Sequence, residues 1–324
     1  MNKFKQIATF SCVGLFTVAT PIASAQSYPT KPVRIIIGFS AGGGGDVSGR
    51  LLAQRMSASL GQPVIVENRV GAGGAIASEL VAKSPPDGHT LLFAAGAFAA
   101  LPALRAKLPF DTEKDFAPVS LVVITSFALS VHPSVPVRDV KALIALARSR
   151  PGVLTFSSPG VSSSAHLAGE LFNMMANVKL LHVPFKGSPE AATAVAAGEI
   201  DVGLPSVVAA MPLLQAGKLR TIAVTSPKRS SLLPQVPTLD EAGLRGYDRG
   251  GWNGMFAPAA VPKEIVVQLN DLIGKIVNTP EMTEALRKLG FEVRTGSPEQ
   301  FAAFVKNEMV QNARLVKFAG LTLN

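Results

Sequence analysis

The feature that most limits what this chain can fold into is an alternation beginning at Val33, in which short β-branched runs are followed by stretches of helical spacing. Glycine or proline marks the connections. "VRIIIGF" reads as a strand; Val47, Leu51, Leu52, Met56 and Leu60 then recur at helical spacing, and Gly61 is a stop. "PVIVE" is a second strand, "GAIASELVAKS" a helix reached through "GAGG", and "HTLLFAA" a third strand after the turn "PPDG". Such alternation predicts right-handed crossover units and a parallel sheet covered by helices on both faces.

The run "APVSLVVITSFALSVHP" is longer than one ordinary strand needs and reads as a strand that leaves one domain and enters another. The rhythm then restarts with a helix at 137–149, strand "VLTFSS", a helix at 163–175, "KLLHVPF", a helix at 189–197, "IDVGLP", a helix at 209–216 and "LRTIAVTS". A segment rich in proline, glycine and charge follows and ends at "WNGMFAP". Ile265, Val266, Leu269, Leu272, Ile273, Ile276 and Val277 mark one helix beyond it, and "SPEQFAAFVKNEM" opens another with Ser297 as N-cap. Three C-terminal helices are too little for a third domain, so they are expected to pack back on the first. The predicted division is residues 26–125 and 250–324 for a discontinuous first domain and 126–249 for the second, with two crossing segments as a hinge.

Residues 1–25 stand apart. Lys3 and Lys5 precede an uncharged stretch from Ile7 to about Thr20, and Ala23-Ser24-Ala25 follows, which is the layout of a secretory signal cleaved after Ala25. The apolar part is about 14 residues, short of the roughly 20 that span a bilayer. A soluble, exported mature chain in the bacterial periplasm is expected, and its single cysteine, Cys12, leaves with the signal. Cleavage also removes two of 31 basic residues and none of 22 acidic ones, so the mature charge is 29 − 22 = +7. The basic residues are dispersed, and with two tyrosines and one tryptophan they offer no nucleic-acid surface.

"FSAGGGGDVSGRLLAQ" places four glycines between the first strand and its helix. Such a turn exposes amides at a positive helix end, a general anion site. No Gly-Lys-Ser/Thr follows, and no three glycines fall at positions one, three and six, so neither nucleotide motif is present. Asp46 at the helix start would repel phosphate and can cap amides itself. A small ligand meeting some amides while Asp46 organises the rest fits better. "FSSPGVSSSAHL" repeats the arrangement in the second half, where Ser162, Ser163 and Ser164 can cap or bind and His166 is either a ligand contact or a packing residue. "HVPFKGSPEA" offers Lys186 and further amides, while Asp201 can contact ligand, cap a loop or pair with a lysine. Turns at the carboxyl ends of strands are where open α/β sheets bind ligands. Gly-X-Ser-X-Gly and His-Glu-X-X-His are absent, and His89, His132, His166 and His182 show no metal spacing, so neither an enzyme nor a cofactor is predicted.

Taken together, "YPTKPVRIIIGFSAGGGGDVSGRLLAQ", "GQPVIVENRVGAGGAIASELVAKSPPDGHTLLF", "HVPFKGSPEA", "LRTIAVTSPKRSSLLPQVPTLDEAG" and "WNGMFAPAAVPKEIVVQLN" resemble the Bug-type extracytoplasmic receptors of tripartite tricarboxylate transporters. The likeness runs in order over about residues 28–320. It implies a two-domain α/β periplasmic binding protein fold, type II-like, closing on a small carboxylated ligand that is handed to an inner-membrane permease. It also implies a carboxylate held by backbone amides and ordered waters rather than an arginine clamp. Carried over by position, the ligand residues are Phe39, Ser40, Gly44, Gly45, Asp46, Ala72 and Gly73 in the first domain. In the second they are Ser157, Ser162, Ser163, His166, Pro184, Phe185, Lys186 and Asp201. The chain departs from the family where Ala41 replaces a usual proline, Gly45 a polar residue, and Ser162-Ser163 a frequent Gly-Ser. A monomer is expected; the rival readings are a periplasmic sensor docking on a signalling protein and an exported hydrolase using His166 and a serine.

Overall fold

A computed structural model describes residues 28–322. The signal segment, its cleavage after Ala25 and Cys12 lie outside the described residues. Among the described residues no helix is long and apolar enough to cross a membrane.

The opening alternation forms β1 (Val33–Ile37), α1 (Gly44–Leu60), β2 (Val64–Asn68), α2 (Ala75–Ala82), β3 (Thr90–Ala95), α3 (Leu101–Leu104) and β4 (Phe116–Thr125). β1 lies between β2 and β3, parallel to both. Its unbroken apolar run has a packing reason. Val33, Ile35 and Ile37 join Leu52 and Met56 of α1 in one core, whereas Ile36 joins Ala77 and Val81 of α2 in another. A strand buried on both faces needs no polar alternation.

The second half comprises β5 (Ala128–Val131), α4 (Val140–Ser149), β6 (Thr155–Ser158), α5 (Ser164–Ala176), β7 (Leu181–Pro184), α6 (Ser188–Ala196), β8 (Val202–Gly203), α7 (Val207–Gln215) and β9 (Arg220–Val224). The chain then supplies β10 (Gly251–Pro258), α8 (Lys263–Val277), α9 (Pro280–Lys288), β11 (Phe291–Val293) and α10 (Pro298–Ala319). Two sheets result, one ordered β11-β4-β10-β3-β1-β2 and the other β7-β6-β8-β5-β9. The three helices placed at the C-terminus by the sequence are present, joined by two strands of the first sheet that its pattern did not reveal. "IDVGLP" contributes only Val202 and Gly203 to its sheet.

The expectation of purely parallel sheets is corrected, because both sheets are mixed. β10 is antiparallel to β3 and β4, and β5 is antiparallel to β8 and β9. The cause is the crossing itself. A chain that leaves one sheet through its carboxyl edge arrives at the carboxyl edge of the other and must run against its neighbours. The long apolar run accordingly breaks at Ser126-Phe127 into β4 and β5, one in each sheet, and β10 makes the return.

The two crossings are bonded to each other. Ser126 Oγ and Ser226 Oγ share a hydrogen bond of 2.6 Å, Phe127 N donates to Thr225 Oγ1 at 3.0 Å, and Thr225 N donates to Phe127 O at 3.1 Å. Both crossings thus sit at the carboxyl edges, where the strand-to-helix turns of the two lobes face one another. Beside them, Leu167 of α5 is buried with Ala100 and Leu104 of the first lobe and Leu315 and Val316 of α10. This cluster holds the start of α5 against the other lobe.

Candidate functional site

The first glycine turn is built around Asp46, which is 3% exposed. Its carboxylate accepts from Gly42 N at 2.9 Å, Asn68 Nδ2 at 2.8 Å and Arg50 Nε at 3.0 Å. Asn68 also donates to Phe39 O at 2.9 Å, so the end of β2 fixes the end of β1. Burial draws the Asp46 carboxyl upward, but the bonds from Arg50, the Gly42 amide and Asn68 outweigh it and hold the pKa below its ordinary value. With its oxygens so occupied, Asp46 shapes the turn rather than facing a ligand.

What the turn leaves open are the first amides of α1. Gly43 is the N-cap and provides no side chain, and among the described residues no acceptor reaches the N–H groups of Gly44 or Gly45. These donors sit at the positive end of a 17-residue helix. The second turn packs on the first. A Cβ on Gly38 would lie 2.7 Å from the Gly74 Cα, so only glycine permits that approach. Ala72 and Gly73 are exposed on its rim, with φ of 54° and 67°. Ser40 is exposed and Phe39 half-buried.

In the second lobe, Ser163 is the N-cap of α5 and accepts from His166 N at 3.1 Å. Ser162 N donates in return to His166 Nδ1 at 3.0 Å. That bond holds Ser162 in the left-handed region, φ 67°, at a cost of about 1–2 kcal/mol for a residue with a Cβ. Ser162 is 3% exposed, yet its Oγ has no hydrogen-bond partner among the described residues. Backbone strain and an unsatisfied buried hydroxyl together mark a position held for something else.

The lobes bring these turns together. Gly45 lies against the Asn253 side chain, Asn253 pairs with Ala95, and Gly96, next along the chain, lies against both Trp252 and Ser164. A Cβ at Gly96 would stand 2.4 Å from Ser164 Oγ, so the lobes meet there with no room between them. Phe291 covers Gly44, and the adjoining Gly290 lies against Val208 at the start of α7. The amino ends of α1 and α5 therefore converge over a floor of Gly96, Trp252 and Asn253. Asn253 and Gly96 escaped the sequence reading. The signal present was the quoted "WNGMFAP", but nothing in it tells that its strand returns between β3 and β4.

Like Asp46, three further expected ligand residues are engaged in hydrogen bonds within the protein. His166 is 1% exposed; its Nδ1 accepts the Ser162 amide, and its ring stacks on His182 with centroids 3.6 Å apart. The ring proton then belongs on Nε2, 3.6 Å from Glu170 Oε1. Its Nδ1 thus fixes the Ser162 amide, while Nε2 is buried without a hydrogen-bond partner among the described residues. Ser157 is fully buried and donates to Ala191 O at 3.0 Å. Asp201 lies before β8, at the opposite end of the sheet from the turns, and accepts from Thr155 N at 2.9 Å. Of the loop after β7, Pro184 and Lys186 are exposed, and Phe185 is half-buried against the second lobe's core. Lys186 forms no ion pair among the described residues.

Beneath the serine turn, His182 Nε2 and Ser158 Oγ share a hydrogen bond of 2.7 Å. Burial, and next the neighbouring His166, push the His182 ring down to about 3. A base whose folded pKa lies below its unfolded value of 6.5 is protonated first in the unfolded chain. Stability is therefore complete above about pH 6.5 and declines as the pH falls toward 3. His182→Gln is expected to lose less unfolding free energy between neutral pH and pH 4 than the unaltered protein in urea titrations. An equal loss in both would place that proton elsewhere.

The family described as "Tripartite tricarboxylate transporter family receptor" matches residues 49–321. Among curated relatives, BugT of Bordetella pertussis is 33% identical over all of both chains. A Pseudomonas protein of the tcbD-tcbE intergenic region is 37% identical over 94% of this chain and 91% of its own length. Among solved structures, a Rhodopseudomonas palustris protein with adipate superposes with a TM-score of 0.80 at 35% identity, over 91% of this chain and 99% of that one. MatC of the same organism, with bound malate, gives 0.77 at 32% identity over 89% of this chain and 100% of that one.

Proposed function

Because the chain belongs to the tripartite tricarboxylate transporter receptor family, we propose that it captures a small carboxylate-bearing metabolite between its two lobes for delivery to an inner-membrane permease. The observation that carries this reading is the convergence of two helix starts, one from each lobe. The α1 start carries the open amides of Gly44 and Gly45, and the α5 start follows the strained Ser162 with its unpartnered hydroxyl. An acceptor-only group with two oxygens satisfies both sides at once. Adipate and malate in the relatives' structures support an acid as the class of ligand.

The mechanism follows from where the donors sit. Neither lobe completes the site alone, so ligand binds the closed arrangement better than the open one and shifts the population toward it. A few charge-assisted hydrogen bonds of roughly 1.5–3 kcal/mol each suffice for micromolar affinity after ordering costs. In this reading the lobes divide at 125/126 and 249/250. The mature protein begins after Ala25 in the periplasm, acts as a monomer, and catalyses no reaction on its ligand.

The test is a thermal-shift screen of refolded, ligand-free protein against mono-, di- and tricarboxylates, with Gly96→Val as the control. Ligand at 100 times its Kd adds about 2.7 kcal/mol, a clear rise in Tm. Ser164 can rotate away from one methyl group but not from an isopropyl, so Gly96→Val is expected to fold and lose the rise. No rise with any acid in the unaltered protein contradicts the reading.

A further inference from the structure

The strain at Ser162 leads back to His166, and this step rests on the reading just given. At φ 67° Ser162 occupies a region that glycine enters freely, and glycine there would also remove a buried hydroxyl that lacks a partner. Folding stability alone therefore favours glycine at this position. A serine that costs stability in both ways is explained by what its hydroxyl binds.

One hydrogen bond keeps Ser162 in place. Its amide donates to His166 Nδ1 at 3.0 Å, and that bond exists only while Nδ1 carries no proton. The surroundings of the ring hold it in this state. Ser163 Oγ accepts from His166 N at 3.1 Å and fixes the main chain from which the ring projects. The face of the ring lies on His182, with 14° between the planes, and burial keeps that neighbour uncharged. At the far edge, Nε2 stands 3.6 Å from Glu170 Oε1, which favours the proton on Nε2. Asn173 Nδ2 donates to the other Glu170 oxygen at 3.3 Å and steadies it.

We propose that His166 is a positioning residue of the binding site. With Nδ1 bare, its ring set by His182 and its tautomer by Glu170, it holds Ser162 in a conformation that serine disfavours and so presents the Ser162 hydroxyl to the bound acid. The protein gives up stability at Ser162 in exchange for affinity.

Calorimetry and urea denaturation on the refolded protein, with malate, adipate, citrate and benzoate as probes, test this. Ser162→Gly is expected to raise the urea midpoint, because relief of the strain and of the orphan hydroxyl outweighs the freedom that glycine gives the unfolded chain. It is also expected to bind about tenfold more weakly any of these acids that the unaltered protein binds, since a hydrogen bond to a charged group is lost. Ser162→Ala keeps the strained backbone and is expected to show the same loss of affinity. His166→Asn places its Oδ1 where Nδ1 stood, keeps the acceptor and is expected to bind within about threefold of the unaltered protein. His166→Gln carries its amide at the place of Nε2 and is expected to lose about tenfold. Both variants lose the same ring, so a role in packing alone moves them alike. Nitrogen NMR of the unaltered protein is expected to show His166 with Nδ1 bare and Nε2 protonated. A Ser162→Gly variant that is no more stable or that binds as tightly as the unaltered protein, a His166→Gln variant equal to His166→Asn, or a proton on Nδ1 overturns the inference and leaves the receptor reading intact. Binding of none of these acids by the unaltered protein overturns both.

Discussion

Asp46→Ala is expected to weaken acid binding about a hundredfold while the protein still folds. The carboxylate holds three donors at once, the Gly42 amide, Arg50 and Asn68, and through Asn68 it holds the end of β1. Removing it leaves these groups unmatched and frees the glycine turn, whose four glycines have little conformational preference of their own. Hydrogen bonds to charged groups contribute roughly 1.5–3 kcal/mol each, and a net loss near 3 kcal/mol is two decades in Kd. Asp46→Asn keeps the shape but turns a donor toward Arg50, so an intermediate loss is expected. Since the folded pKa is depressed, the contribution of Asp46 is complete above the ordinary carboxylate value and lost only as the pH falls through the lower folded one. The Asp46 contribution to binding should be flat across neutral pH and be lost only in strong acid. Calorimetry of both variants, with circular dichroism to confirm folding, checks this; unchanged affinity in Asp46→Ala would remove Asp46 from the account.

The second large effect lies at the hinge. Arg249 is 2% exposed, and its main-chain N donates to Thr225 O at 3.0 Å in the returning crossing. Its guanidinium reaches Glu308 Oε1 at 3.1 Å and also bonds Asn312, both on α10. Glu308 accepts in addition from Trp252 Nε1 at 3.0 Å. Arg249→Ala strands a buried carboxylate and is expected to cost about 3–5 kcal/mol of folding free energy, read from urea denaturation. Arg249→Met with Glu308→Leu removes both charges and should recover most of the loss. If the double variant is as unstable as the single one, packing rather than charge accounts for the effect.

The lobes were legible in the sequence because both periodicities were strong there. Val33–Ile37 is apolar throughout because two cores claim it, and Val47 to Leu60 keeps one helical stripe. The crossing was legible as excess length in "APVSLVVITSFALSVHP", but the direction of the strands was not. β5 and β10 run against their neighbours for a topological reason that no local pattern encodes. At the site, Asp46 and the serine cap were readable from residue types at helix starts. Serine and histidine four apart cannot say whether the ring faces a ligand or the Ser162 amide, and burial between α5 and β7 decided for the amide. Asn253 and Gly96 come from distant segments that only the closed sheet brings beside Gly45 and Ser164.

A crystal structure of the protein with the tightest-binding acid from the screen tests the central claim most directly. The account predicts one carboxylate between the lobes, within about 3.2 Å of the Gly44 and Gly45 amides and Ser162 Oγ, or joined to them through a single ordered water. An acid held by a side-chain cation, with those amides facing bulk solvent, would contradict it.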